Sequence, residues 1–159
     1  MLASAPAVQA QGKRFESKEG KYTVTFPSAP STETFKSGTI SYTKVSASVN
    51  GATVSITYSK LTEKQAALKP DDLLKSVESS LIKSLGGTPN TSEESELGKE
   101  KFKARRGSGD ALVEGRKVQV KVLVVLVEDR LYELAGTGPM DTNTSLVIDT
   151  FFDSVEIKK

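Results

Sequence analysis

Two Ser-x-x-Lys spacings are the most enzyme-like features of this chain: Ser41-Tyr42-Thr43-Lys44 and Ser80-Leu81-Ile82-Lys83. In enzymes built on this spacing the lysine helps activate the serine as a nucleophile. The first pair falls in a segment of alternating character, where residues three apart point to opposite faces. Ser41 and Lys44 are therefore badly placed for a dyad. The second pair falls in a helical segment, close together but on its solvated side. No companion motif accompanies either. The chain also contains no histidine and no cysteine. It thus lacks the side chain that exchanges protons near neutral pH, the thiolate nucleophile and the usual soft metal ligand. The sequence predicts a domain without catalytic residues and without a cofactor.

Carboxylates recur at Asp71-Asp72, Glu93-Glu94-Ser95-Glu96 and Asp141-Thr142-Asn143. Oxygen ligands of this kind could hold calcium, and Asp141, Asn143 and Ser145 copy the first three ligand positions of a calcium loop. Leu146 and Phe152 stand where that loop needs its glycine and its bidentate glutamate. Helix capping accounts for Asp71 and Asp141, and a solvated loop for the glutamates, so no metal site is expected. Arg105-Arg106-Gly107-Ser108-Gly109-Asp110 is basic and glycine-containing, which suggests a phosphate cradle. It lacks the Walker spacing and does not lead into a helix N-terminus, so a bulged strand is expected instead.

The basic residues form the strongest pattern. Lys99, Lys101, Lys103 and Arg105 alternate along one segment, with Lys117 and Lys121 on its expected neighbour. Lys101, Lys103, Arg105, Lys117 and Lys121 are accordingly the candidate binding residues. They would form a cationic stripe on the open part of a sheet, suited to an acidic protein patch, a polyanion or a lipid headgroup. The same side chains would equally solubilise an exposed strand face and block edge pairing. The net charge is only +2 and no aromatics interleave with the lysines, so nucleic acid is not an expected partner.

The elements that must position these residues can be read from the pattern. The 159 residues suit one domain, and the longest apolar run, Val122 to Val127, is strand-sized, so no transmembrane segment is expected. Residues 1–12 are expected to lie outside the fold as a tail. Val8-Gln9-Ala10 there resembles the end of a secretory signal, which leaves export and an alanine-rich tail both open. Residues 13–159 are expected to form the single domain.

Tyr22, Val24 and Phe26 alternate with polar residues and stop at Pro27, as in a half-buried strand. Ser28 to Gly38 is expected to be a loop. Asn50-Gly51 between two alternating segments predicts a two-residue hairpin, with Val49 opposite Ala52, Ala47 opposite Val54 and Val45 opposite Ile56. That register gives one apolar and one polar face, and a slip of one residue would mix them. Pro70, Asp71 and Asp72 open a helix whose packing face is Leu73, Leu74, Val77, Leu81, Ile82 and Leu85, and Gly86-Gly87 closes it. Pro89 to Glu100 is expected to be a loop. Strands follow at Phe102 onward, at Val118 to Val127 and at Leu131 to Gly136, with Val127 opposite Tyr132. Asp141 caps a second helix that packs through Val147, Phe151 and either Leu146 or Ile148. Val155 and Ile157 end the chain as a short strand. The expected fold class is α+β: a central, mainly antiparallel sheet flanked by two helices, in the order βββ-α-βββ-α-β.

This order, the opening Phe15-Glu16-Ser17-Lys18-Glu19-Gly20-Lys21-Tyr22-Thr23-Val24-Thr25-Phe26-Pro27 and the closing Phe151-Phe152-Asp153-Ser154-Val155-Glu156-Ile157 resemble the PsbP-like superfamily. That group includes the extrinsic lumenal subunit of photosystem II and bacterial envelope proteins of the DcrB type. The resemblance implies an antiparallel sheet with helices on its faces and an accessory or binding role without catalysis. It transfers no functional residue, and the chain lacks the histidines through which some photosystem relatives bind metal. The expected function is a non-enzymatic, exported (periplasmic or secreted) domain, monomeric, that contacts a protein or envelope component through an exposed sheet face or loops. The alternative is a carrier of a small ligand or ion, with a pocket between sheet and helix.

Overall fold

The structure is a computed structural model and describes residues 12–159. The export-like Val8-Gln9-Ala10 and all of the expected tail except Gly12 lie outside the described residues. Ten strands and three helices follow in the order β1 (Lys13–Ser17), β2 (Tyr22–Phe26), β3 (Ser31–Ser37), β4 (Ile40–Val49), β5 (Ala52–Lys60), α1 (Glu63–Ala66), α2 (Pro70–Ser84), β6 (Thr88–Leu97), β7 (Phe102–Val113), β8 (Arg116–Val127), β9 (Arg130–Pro139), α3 (Thr142–Asp153) and β10 (Glu156–Ile157). The class is α+β as expected, but the single central sheet with two helices is corrected to two sheets and three helices. A seven-stranded sheet runs β3-β4-β5-β9-β8-β7-β6, and a three-stranded one runs β1-β2-β10. Every pairing is antiparallel.

The large sheet is two meanders joined by a crossover. The chain leaves β5, passes through α1 and α2 over one face, and enters β6 at the far edge. The second meander then returns β9 to lie beside β5. The β4–β5 hairpin has the expected register, Val45 opposite Ile56 and Ala47 opposite Val54. Its turn needs positive φ at both central residues; Asn50 and Gly51 supply 48° and 82°. The apolar face of the hairpin is buried against the small sheet and α3, in one core with Tyr22, Val24, Phe26, Leu123, Leu134, Ile148, Phe151 and Phe152.

Two segments expected to be loops are strands. Ser31–Ser37 forms β3 and Thr88–Leu97 forms β6, at the two edges of the large sheet. Their side chains are almost all exposed, so no apolar alternation marks them. Backbone hydrogen bonds to β4 and β7 hold them in place, and their charges and Pro89 discourage further pairing. The expected bulge at Gly107–Gly109 is also corrected. β7 runs through it, and the register shift lies across the ladder, between Pro89 and Thr91 in β6. The β8–β9 turn is Glu128-Asp129, with Glu128 at φ 57°. Val127 therefore faces Arg130 and Val125 faces Tyr132, two residues from the expected register but with the same faces.

α2 packs against β8, β7 and β6. It buries Leu73, Leu74, Val77 and Ile82. Its end carries bonds from Gly87 N–H to the Ile82 carbonyl and from Gly86 N–H to the Lys83 carbonyl, a Schellman closure. Gly107 and Gly109 let it approach: a Cβ on Gly107 would lie 2.6 Å from Glu78 Oε1, and one on Gly109 3.0 Å from Ile82 Cγ2. On the opposite face α3 is capped by Asp141, which accepts the Thr144 N–H at 2.7 Å. Ile148, not Leu146, is its buried aliphatic. One buried network ties the strand ends together. The Tyr132 hydroxyl donates to the Gly20 carbonyl and accepts from Arg130 Nη1 at 2.6 Å, while Arg130 Nη2 donates to the Lys158 carbonyl at 2.8 Å. Burial pushes the Tyr132 phenol up to about 12.

Candidate interaction surface

The five candidate cations do not form one stripe. The β7–β8 ladder sets Arg105 opposite Val124 and Lys121 opposite Ser108. Residues directly opposite share a face, so Lys103 and Arg105 project toward α2 while Lys117 and Lys121 share the α3 side. Arg105 is buried. Its Nε donates to Glu78 Oε2 at 2.8 Å and its Nη2 to Ser92 Oγ. Lys121 is tied to both carboxylate oxygens of Asp149, at 2.9 and 3.1 Å. Lys103 makes an exposed pair with Asp71 at 3.2 Å. Lys117 is exposed near the β7–β8 turn, and Lys101 sits in the β6–β7 turn at φ 52°. What the fold brings together is Lys101, Lys103 and Lys159, around an open groove of about 580 Å³ that Glu100 and Glu128 also line.

The other constellations are spent on structure. Asp141 caps α3, and the hydrogen bonds from Thr144 hold its carboxyl below the usual range. Ser145 donates to Gln119 Oε1 at 2.6 Å. Two of the three calcium-like ligands thus have protein partners, and no group of three metal-ligating side chains converges among the described residues. Ser80 and Lys83 are both exposed on α2. The space between α2 and the sheet is filled by Leu73, Leu74, Val77, Val124 and Leu131.

A surface the sequence reading missed lies beside α2. The helix covers β6, β7, β8 and the Leu131 and Ala135 positions of β9, and leaves β3, β4 and β5 without cover from α2 on that side. Cross-strand rows on this face read Glu33, Lys44, Thr57, Glu133 and, one row on, Ser31, Ser46, Ser55, Ala135, the last two of which are buried. Ser48 Oγ and Thr53 Oγ1 are hydrogen-bonded at 2.9 Å. At one corner Phe35 and Tyr42 stack, ring centroids 5.2 Å apart and 8° from parallel. Glu133 is half-buried in this field. No lysine or arginine nitrogen lies within salt-bridge distance of it among the described residues. Burial pushes its carboxyl above the usual range. The signal was present in the sequence: a lone acid in the otherwise apolar Leu131 to Ala135, and a polar hairpin face too rich in serine and threonine to be only a solvated one.

No sequence-family profile matches the chain, and no curated protein matches it by sequence. Solved structures do match it in shape. Cyanobacterial PsbP (CyanoP) from Synechocystis sp. PCC 6803 superposes with a TM-score of 0.64 at 14% identity, over 99% of both chains. LpqN, involved in cell envelope biogenesis of Mycobacterium tuberculosis, matches at 0.55 and 16% identity, over 94% of this chain and 91% of its own. PA94 of Pseudomonas aeruginosa, a protein of unknown function described as a putative regulator, matches at 0.50 and 12% identity, over 94% and 99%. At these identities the likeness concerns architecture, and it agrees with the chain order, the opening strand and the closing helix–strand unit: the fold is PsbP-like.

Proposed function

We propose that this chain is a non-catalytic accessory domain of the cell envelope, periplasmic or secreted, that binds a protein or envelope component through the bare half of its large sheet. One observation carries the reading. The helix that covers one half of the sheet leaves the other half as a field of hydroxyls with the carboxylates of Glu33 and Glu133, the ammonium of Lys44 and one aromatic pair. A rigid ladder presents these groups without further ordering, which is what a contact surface needs. The structural likeness to an envelope-biogenesis protein supports the compartment. The lysine groove around Lys101 and Lys103 is the competing surface.

The test is capture from envelope extract with the purified domain as bait. Ser46→Arg/Thr57→Arg places two bulky cations on the bare face at positions that are only half-buried. It should abolish retention of the partner while circular dichroism stays unchanged. Lys101→Glu/Lys103→Glu should retain it. Equal retention by the Ser46→Arg/Thr57→Arg variant, or loss confined to the lysine variant, refutes the proposal.

A further inference from the structure

The β7–β8 hairpin outruns its neighbours. β6 pairs with β7 only as far as Thr88 opposite Asp110, and β9 with β8 only as far as Pro139 opposite Val118. Residues 112–117 therefore project as a two-stranded finger around the Glu114-Gly115 turn. Its last two pairs set Leu112 against Lys117 and Val113 against Arg116. Leu112 is 71% exposed and Val113 52%, with nothing among the described residues to cover them. Met140, 52% exposed, directly follows Pro139, where the β8–β9 pairing ends opposite Val118. Leu146, 63% exposed, lines an apolar groove of about 390 Å³ at this same end, with Phe26, Pro27 and Val49.

The large exposed hydrophobics are thus concentrated at one end of the molecule. The cations there are Arg116 and Lys117 on the finger, Lys13 and Arg14 at the start of β1, and Lys83 in the last turn of α2. The acids are Asp110, Glu114 and Asp141. Apolar tips backed by an excess of cations are complementary to an anionic bilayer surface. Aliphatic side chains enter the acyl boundary, while lysine and arginine stems lie along them and keep their charges among the headgroups. We propose that this end of the domain docks on an anionic lipid surface, with Leu112, Val113 and Met140 at the interface and Arg116 and Lys117 in the headgroup layer. Glu114, at the leading turn, opposes the lipid charge and keeps the contact shallow.

The experiment is vesicle flotation with the purified chain. Vesicles of phosphatidylglycerol and phosphatidylcholine in equal parts should carry it, and phosphatidylcholine alone should not. Arg116→Gln and Lys117→Gln should each weaken binding about fivefold, and Glu114→Gln should tighten it about fivefold. Leu112→Ser/Val113→Ser should weaken it at least about tenfold with an unchanged melting curve, because both side chains are already exposed. The Ser46→Arg/Thr57→Arg variant should still float, which keeps this proposal separate from that of the bare sheet face. Three results would overturn it: no flotation on the anionic vesicles; equal flotation by the wild type and the Leu112→Ser/Val113→Ser variant; or lipid-free self-association that the same variant abolishes, which would give the finger a second copy as its cover.

Discussion

Arg105 separates a structural role from a binding one. Its guanidinium lies between α2 and β6, with Nε 2.8 Å from Glu78 Oε2 and Nη2 on Ser92 Oγ. The two charged side chains are only 8% and 5% exposed. Arg105→Met would remove the cation and leave the Glu78 carboxylate in a pocket walled by Gly107, where a Cβ would already lie within 2.6 Å of its Oε1. Water has little room to replace the guanidinium there. Breaking a buried pair from one side costs about 3–5 kcal/mol. In a chain of this size that is a fall in melting temperature of roughly 6–20 °C.

The double variant Arg105→Met/Glu78→Met removes both charges and fills much of their volume. It should recover to within about 1 kcal/mol of the wild type, because desolvating the pair cancels most of its attraction. The assay is urea unfolding followed by circular dichroism, with Arg105→Met, Glu78→Met and the double variant fitted at a common m-value. Two outcomes refute the reasoning. A single Arg105→Met costing less than about 1 kcal/mol would mean that Glu78 finds water or another donor. A double variant costing the sum of the two singles would mean that the side chains act independently.

Burial holds the Glu133 carboxyl above its ordinary value, so ionising it costs more in the folded than in the unfolded chain. That penalty is fully present at neutral pH and fades as pH falls through the raised value. Glu133→Gln should therefore stabilise at pH 7, and the gain should vanish below the ordinary carboxylate range; urea unfolding at both extremes checks it. Gly109→Ala should cost about 1–3 kcal/mol as overpacking, because its Cβ would meet the Thr88 carbonyl at 2.5 Å and that backbone is fixed in the β6–β7 ladder. A thermal melt within 1 °C of wild type would show that β6 moves away freely.

Where burial writes a period into the chain, the fold was legible. The β4–β5 register follows from one apolar and one polar face meeting at Asn50-Gly51, and the α2 packing face from its helical repeat. Edge strands carry no such mark. β3 and β6 are held by main-chain bonds, which most polar sequences could supply. The small sheet was missed for a similar reason, since Lys13–Ser17 has only Phe15 to bury. Charge was the least legible property. Lys103 and Arg105 alternate identically in sequence, yet one is solvated and the other sealed. The clue lay elsewhere. Glu78 stands on the same helical line as Leu74 and Ile82, and a carboxylate on a buried stripe requires a cation across from it.

This difference bears on which surface should recognise a partner. Of the five candidate cations, Arg105 and Lys121 are already committed to Glu78 and Asp149, and Lys103 is paired with Asp71. Recruiting any of them to a partner would mean breaking an existing bond. Lys101 and Lys117 have no ion-pair partner among the described residues, but each long side chain must give up about 1.5–2 kcal/mol of rotamer freedom on being held. Serine and threonine on a ladder lose far less, and their backbone is fixed by strands on both sides. Among the described residues, the bare half of the sheet thus offers the contact with the smallest ordering cost. The half-buried carboxylate at Glu133 gives that contact a chemical preference, because a partner presenting an amine or guanidinium there would recover the desolvation the fold already bears. Glu133→Gln should for this reason weaken partner capture while strengthening the fold, two effects of opposite sign from one substitution. A variant that loses or gains both together would show that Glu133 acts on stability alone.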